Sequence, residues 1–544
     1  MTIVPGRSTH RSLGYAGEPV LAGAPRAWAG FTPWVAAALI VVWRLVALSR
    51  HGDPVGVDMG NWVRIGRSWL GDVGVSDAVY PPIVPAVATV VDVLIGQLWT
   101  SRLLQALAGV APGLGVWSVL RTRVRPGWAI GASLVVALAA PTSAAVAWGG
   151  VPQLLGLGLF PVAVDRVRRW ASEPTTSRAW RAGLVLVATG LVSTLMFGLS
   201  ILAALMAGAL AAAGRRGLPV ERRRWGQGLA VMGATLAVLL PWYIPIFLRQ
   251  RLPDDRVSSL RGGSAIGDVL GWPIAVWVLF AVLSLLGVLI ARAAGGTWWA
   301  TAAGCWGTAV VAVAATETRL LFVVPSCVVI GVGSIGALRS GGLSASSPSP
   351  GAEVRARSID RRDRVAGVQR WSAGPLLIAL AIVAVVAPAR LDEQIEYYER
   401  FTPEGTIAAT EWLAGRAGAD ELVVSAPVEG VPTGWWVEAA GVDAWVASRP
   451  DWIFFPEERA EAGRAASLLS GVGWPNDAAI AALRACGVTW LYLPSGWGGI
   501  DAEALGQATA AGELEVAFEG PGATIVLVLT DRDLPVTDLS CPFA

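Results

Sequence analysis

The sequence predicts a polytopic α-helical membrane protein of about eleven transmembrane helices followed by a C-terminal extracytoplasmic α/β domain. Three observations lead there. The chain of 544 residues is 54% hydrophobic and only 15% charged, with a mean hydropathy of +0.56, a balance that excludes an ordinary soluble enzyme. Its apolar residues fall into long runs. Its charge is divided unevenly, with a net +18 over the first 389 residues and −16 from 390 onward, as expected for a separate acidic domain placed across the membrane from basic loops.

A hydrocarbon core takes about 17 to 25 apolar residues per helix. Windows of that kind lie at 30–49, 101–120, 128–147, 150–165, 181–196, 198–213, 227–247, 272–291, 297–315, 320–338 and 373–389. Counting through them puts the arginines of 121–125, 166–169, 215–224, Arg292 and the linker 339–372 on one side. By the positive-inside rule that side is cytoplasmic, and the protein belongs in the plasma membrane. The count holds only if Pro81 to Leu98, with its three prolines and Asp92, does not cross. It is therefore expected to be juxtamembrane, leaving a first outer loop of 50–100. Residues 1–29 lack the apolar core of a cleaved signal peptide, so they read as a cytoplasmic segment before an uncleaved anchor.

The domains expected are thus 1–29, a membrane domain of 30–389 and an outer domain of 390–544. Within the linker, SGGLSASSPSP is flexible by composition. The outer domain alternates helix-like Thr406 to Arg416, strand-like Leu422 to Ser425, helix-like Glu457 to Leu469 and Ala478 to Cys486, then strand-like Val488 to Leu493 and Ala523 to Leu529. Cys486 and Cys541 lie in this domain as a disulfide or as two thiols, while Cys305 and Cys327 lie in spans. The tryptophans Trp435, Trp436, Trp445 and Trp452 read either as a sugar-stacking platform or as core.

Residue types bound the chemistry. The chain has no lysine, which excludes a lysine Schiff base, and its two histidines cannot build a histidine metal cluster. The informative stretch is VDMGNWVRIGRSWLGD, residues 57–72, just after the first span. Asp58, Trp62, Ile65 and Trp69 recur at helical spacing, with Asn61, Arg64, Arg67 and Ser68 on the other side. Such a helix is expected to lie on the outer membrane surface with its tryptophans at headgroup level. Asp58 is then either a helix cap or a carboxylate presented for chemistry, and Arg64 and Arg67 meet phosphates.

The order of features, an apolar span, then HGDPVGVD with its helix, then Tyr80-Pro81-Pro82, then a span ending RTRVR, resembles the GT-C superfamily of integral-membrane glycosyltransferases. Trp148-Gly-Gly-Val-Pro-Gln, Pro241-Trp-Tyr-Ile-Pro and the C-terminal domain extend that resemblance over nearly the whole chain. It implies an inverting transferase that moves a sugar from a polyprenyl-phosphate donor to a carbohydrate, glycolipid or protein acceptor outside the cytoplasm. It implies Asp58 as the catalytic acid and Asp53 as a second acidic candidate, although the two are five residues apart where the family's acids are closer. In the resemblance Glu317 and Arg319 fall where relatives keep an acid and an arginine near the donor phosphate, with Arg319 as the leading clamp beside Arg64 and Arg67, and Asn61 and Tyr80 in support. A divalent cation (Mg or Mn) would find only Asp58 as a ligand, a poor site.

The resulting expectation involves lipid and carbohydrate partners and no nucleic acid. Its rivals are a transporter or flippase for a lipid-linked or anionic substrate and a non-catalytic envelope scaffold. Transporters place ionisable groups at mid-membrane depth and show repeats. In this chain the spans are nearly free of charge apart from Arg44, and no internal repeat is visible.

Overall fold

The computed structural model describes residues 27–71, 80–124, 126–213, 222–249, 274–293, 297–315, 320–336, 385–449, 456–529 and 541. Its first part is a helical body. In chain order the helices are α1 (Ala27–Ser49), α2 (Asp58–Ser68), α3 (Ile83–Leu120), α4 (Pro126–Ala137), α5 (Ala140–Trp148), α6 (Val151–Ser172), α7 (Thr176–Val192) and α8 (Thr194–Ala213). There follow α9 (Arg222–Leu236), α10 (Leu240–Arg249), α11 (Ile274–Ala293), α12 (Trp298–Ala315) and α13 (Val324–Gly336), with α14 over 385–399 leading into the C-terminal part.

Among the described residues four helices are long and apolar enough to cross a membrane, five if the bent pair α4 and α5 is one span, with two shorter apolar helices besides. That measure does not reproduce the expected eleven, partly because the window 373–389 and the end of 320–338 fall largely outside the described residues. Several expected boundaries also differ. The window 128–147 is broken by 49° between α4 and α5. Pro141 has no N–H to give the carbonyl of Ala137 and its ring crowds that carbonyl, so the helix cannot continue through it. Buried Arg44 on α1 donates to the stranded Ala137 carbonyl instead. Gly109 on α3 makes room for it, since a Cβ there would lie 2.1 Å from Arg44 Nη1.

The segment after the first loop is one long helix with a break at Gly96, whose φ of 79° and ψ of 163° only glycine adopts readily. Before the break the helix carries Asp92 and runs beside α2. After it, 97–120 is long enough to span the membrane. The break at Gly96 lies close to the boundary expected between 81–98 and 101–120.

The C-terminal domain is built on a five-stranded sheet of order β2-β1-β3-β5-β4, with β1 (Leu422–Ser425), β2 (Ala444–Val446), β3 (Val488–Pro494), β4 (Leu514–Glu519) and β5 (Ala523–Val528). β1 pairs parallel with β2 and β3, whereas β5 runs antiparallel between β3 and β4. Alternation along the strands makes two cores. Leu491 and Leu493 face one, together with Leu483 and Trp474. Trp490 and Tyr492 face the other, against α15 (Thr406–Ala414) and α16 (Trp435–Ala439). The remaining helices are α17 (Pro456–Leu468), α18 (Asp477–Ala485) and α19 (Ala502–Ala510), and a disulfide joins Cys486 to Cys541.

The two parts share a continuous core. Trp436 and Ala439 of α16 and Leu391 and Ile395 of α14 pack in the same apolar cluster as α2, α3 and α6.

Candidate active site

The loop 50–57 is gripped from both sides, which is what positions Asp58. From α3, Arg102 donates to the carbonyls of His51 and Gly52, and Gln105 to that of Val55 at 2.8 Å. From the C-terminal domain, Thr402 donates to the Pro54 carbonyl at 2.7 Å and Glu399 pairs with His51 Nδ1 at 2.8 Å. Asp53 spends both carboxylate oxygens on the start of α15, Oδ1 accepting from Ile407 N at 2.9 Å and Oδ2 from Gly405 N. It is an N-cap supplied from the far end of the chain. Each Asp53 oxygen thus holds one backbone N–H of α15, which gives the carboxylate a structural task in place of the second catalytic acid expected there.

Asp58 opens α2 at the point where the chain meets the turn after α5. Gly149 ends α5 at φ +90°, and a Cβ there would touch Met59 N at 3.0 Å and Asp58 Cβ at 3.3 Å. Gly56, at φ +80°, passes still closer, with a Cβ position 2.6 Å from the Trp148 carbonyl. One turn on, Trp62 Nε1 donates to the Gly149 carbonyl at 2.9 Å. The first turn of α2 therefore straddles Trp148-Gly149-Gly150, the tripeptide singled out in the sequence. Aromatic rings wall the junction: Tyr80 lies 4.7 Å from Trp62, and Trp148 meets Phe322 at 5.0 Å and Tyr398 at 6.3 Å. The buried Trp148 Nε1 has no hydrogen-bond partner among the described residues.

The other predicted residues of α2 do something different from what their pattern suggested. Met59 through Gly66 are all buried, so the helix is packed between α3, α16 and the Gly149 turn and is not an interfacial anchor. Arg64 is 3% exposed and commits its guanidinium to Asn61 Oδ1 at 2.8 Å, Glu438 Oε2 at 3.0 Å and Glu458 Oε1 at 2.9 Å, with the Trp435 ring 4.9 Å away. Arg67 pairs with Asp92 at 2.8 Å. Phosphate binding by Arg64 and Arg67 is thus displaced by internal ion pairs, and Asn61 supports Arg64 in place of a ligand. Glu317 and Arg319 lie outside the described residues, which resume at Leu320.

Sequence reasoning missed Glu438 and Glu458 because their partner is hundreds of positions away. Glu438 is fully buried, and burial pushes its carboxyl up to about 8, with Arg64 opposing and Glu458, Asp443 and Glu461 adding to the rise.

Among the described residues no three His, Cys, Asp or Glu side chains gather as a metal site. Among the described residues, with Asp53 capping α15, the donors around Asp58 do not form a divalent-cation site.

What this arrangement offers chemically is a carboxylate at a helix start, backed by glycines and ringed by aromatics. The chain is similar in fold to two solved sugar transferases. Arabinofuranosyltransferase AftD from Mycobacteria superposes on 93% of this chain with a TM-score of 0.53 and 17% identity, and this chain spans only 42% of the AftD chain. ArnT from Cupriavidus metallidurans, solved bound to undecaprenyl phosphate, covers 94% of this chain and 100% of its own, with a TM-score of 0.50 and 15% identity. Its apo state gives 92%, 98%, 0.51 and 15%. No protein-family model and no curated protein matches the sequence.

Proposed function

We propose that the chain is an inverting membrane glycosyltransferase that moves one sugar from a polyprenyl phosphate to an acceptor on the extracytoplasmic face, with Asp58 as its base. The observation that carries this reading is the seat of Asp58. The first loop is held by α3, the Gly149 turn and the C-terminal domain together, and it leads into Asp58 in a fold shared with a protein solved bound to undecaprenyl phosphate.

In the proposed step an acceptor hydroxyl oxygen attacks the anomeric carbon as the bond from that carbon to the phosphate oxygen breaks. The bonding pair leaves with the phosphate, and the acceptor proton passes to the Asp58 carboxylate. The product side is a polyprenyl phosphate and an inverted glycoside. Charge develops on the leaving phosphate, which calls for a cation more than for an acid. With Arg64 and Arg67 engaged elsewhere, Arg319 is the arginine we assign to it. The cytoplasmic N-terminus, plasma-membrane location and outer C-terminal domain belong to the same proposal.

A transporter reading would need its charged group in the membrane to serve the cargo. Arg44 gives Nη2 to the helix break at Ala137, while its buried Nε and Nη1 have no partner among the described residues, so the preference for the transferase rests on the seat of Asp58.

The test is Asp58→Asn and Asp58→Ala in proteoliposomes supplied with polyprenyl-phosphate sugars, reading release of polyprenyl phosphate. A loss of about 100-fold or more is expected for a missing general base. Unchanged turnover in both variants, at normal levels of folded protein, would end the proposal.

A further inference from the structure

Asp58 is backed by a turn whose place is decided at the far end of a short helix. That helix, α5, has nine residues and is about 13 Å long. At its C-terminal end Gly150 N donates to the Ala145 carbonyl at 2.8 Å and Gly149 N to that of Val146 at 3.3 Å, the paired bonds that close a helix at a left-handed glycine. The turn is therefore continuous with α5 and sits where the helix points. At its N-terminal end the helix leaves α4 at 49°. The break opens two carbonyls: that of Val136 takes Thr142 Oγ1 at 2.8 Å, and that of Ala137 takes Arg44 Nη2. Thr142 belongs to α5 itself, so of the two donors only Arg44 comes from another helix.

We propose that Arg44 is a positioning residue of the transfer site: it fixes the direction in which α5 leaves the break and, through the turn at the other end of α5, the place of Asp58. The inference rests on the transferase reading and on Asp58 as its base. Stability alone does not account for an arginine here. The side chain is wholly buried, and its Nε and Nη1 have no partner among the described residues. Taking a cation out of water costs more than one hydrogen bond returns, so what the residue contributes is placement.

The neighbours of the guanidinium show how that placement reaches the acid. A Cβ at Gly109 of α3 would lie 2.1 Å from Arg44 Nη1 and 2.7 Å from Val146 Cγ2, so the guanidinium and the second half of α5 share one notch. One turn away on the same face of α3, Gln105 donates to the Val55 carbonyl at 2.8 Å, in the loop that leads to Asp58. That face thus sets both supports of the acid. At the end of α5 a Cβ on Gly149 would meet Asp58 Cβ at 3.3 Å, and the Gly149 carbonyl takes Trp62 Nε1 at 2.9 Å. Leverage decides the size of the effect. A tilt of about 10° moves the far end of a helix about 13 Å long by about 2 Å, and a misplacement of about 1 Å costs a reaction as much as about a hundredfold.

The experiment compares full-length wild type, Asp58→Asn, Arg44→Met, Arg44→Lys and Arg44→Met/Pro141→Ala in nanodiscs. Donors are undecaprenyl phosphates carrying arabinofuranose, mannose, glucose or galactose, and the readouts are donor KM and kcat per folded molecule, with the folded fraction followed by near-ultraviolet circular dichroism. Methionine fills the space without a donor, whereas the lysine amine still donates, charged or neutral. In the double variant the backbone N–H at position 141 returns a donor to the Ala137 carbonyl from within the helix, which mends the break and removes its angle. Arg44→Met and the double variant are expected to lose about tenfold or more in kcat per folded molecule with donor KM within about threefold, and Arg44→Lys to keep kcat within about threefold. A residue that only stabilises the break changes the folded fraction and leaves kcat per folded molecule alone. Wild-type kcat per folded molecule in Arg44→Met, or its return in the double variant, therefore overturns the inference. If Asp58→Asn loses turnover while Arg44→Met keeps it, the positioning role alone fails. Equal turnover in the wild type and Asp58→Asn ends the transferase reading, and this inference with it.

Discussion

Three glycines in the first loop and its neighbours separate backbone strain from steric conflict. Gly56, Gly149 and Gly71 all have φ between +80° and +90°. A Cβ would strike the Trp148 carbonyl at 2.6 Å from Gly56, press on Met59 at 3.0 Å from Gly149, and meet nothing within 4 Å from Gly71. Alanine at each position incurs left-handed strain of about 1–3 kcal/mol, and only the first two add a collision. Thermal unfolding in detergent should therefore rank the losses Gly56→Ala, then Gly149→Ala, then Gly71→Ala. If Gly71→Ala is the most damaging, the close approach of the loop to the Trp148 turn is not as described. The sequence made Asp58 and the Trp148-Gly-Gly turn visible separately, through spacing and resemblance. It could not show that they touch, because contact across ninety residues leaves no local pattern. Arg64 and Arg67 were misread for a related reason: an arginine on a polar helix face has the same pattern whether it meets a phosphate or a buried glutamate.

At the scale of elements, α2 shows how far helical periodicity reaches. The period predicts a helix from Asp58 through Trp69, and the structure has one over 58–68. It does not reveal that both faces are buried, since the polar face is covered by α16 through an ion cluster and not by water or lipid headgroups. That cluster carries a pH dependence whose sign is fixed. Glu438 is raised from 4.5 to about 8 by burial, so between those values the folded protein holds a proton that the unfolded chain releases. Stability from this group is full below about 4.5 and is lost as pH rises toward 8. Around Glu438 stand Arg64, which opposes the rise, and Glu458, Asp443 and Glu461, which add to it. Glu438→Gln keeps an acceptor for Arg64 and removes the titration. The wild-type melting temperature should fall more steeply than that of Glu438→Gln from pH 5 to 8, with the two curves parallel above. Parallel curves throughout would mean that Glu438 stays ionised beside Arg64.

At the scale of the whole molecule, the legible part was the division into an apolar basic body and an acidic α/β domain, because hydropathy and charge act over hundreds of residues. Illegible was the joint between them, which is made by residues that read as loop. Asp53 is the test of that joint. As the cap of α15 it accepts from Gly405 N and Ile407 N with separate oxygens, so Asn, with one acceptor oxygen, keeps one of the two bonds, whereas Ala keeps neither and costs roughly 1 kcal/mol or more. A catalytic carboxylate has the opposite requirement, since an amide cannot accept the proton. Asp53→Asn should therefore lower the melting temperature, through the one lost capping bond, while transfer activity at temperatures where the protein stays folded is retained. Asp53→Ala should loosen the seat of the C-terminal domain, seen as faster proteolysis near Arg400 and lower activity restored by neither pH nor donor concentration. If Asp53→Asn is as inactive as Asp58→Asn while its proteolysis pattern stays that of the wild type, the first loop has two working acids, and the capping geometry describes only one state of the joint.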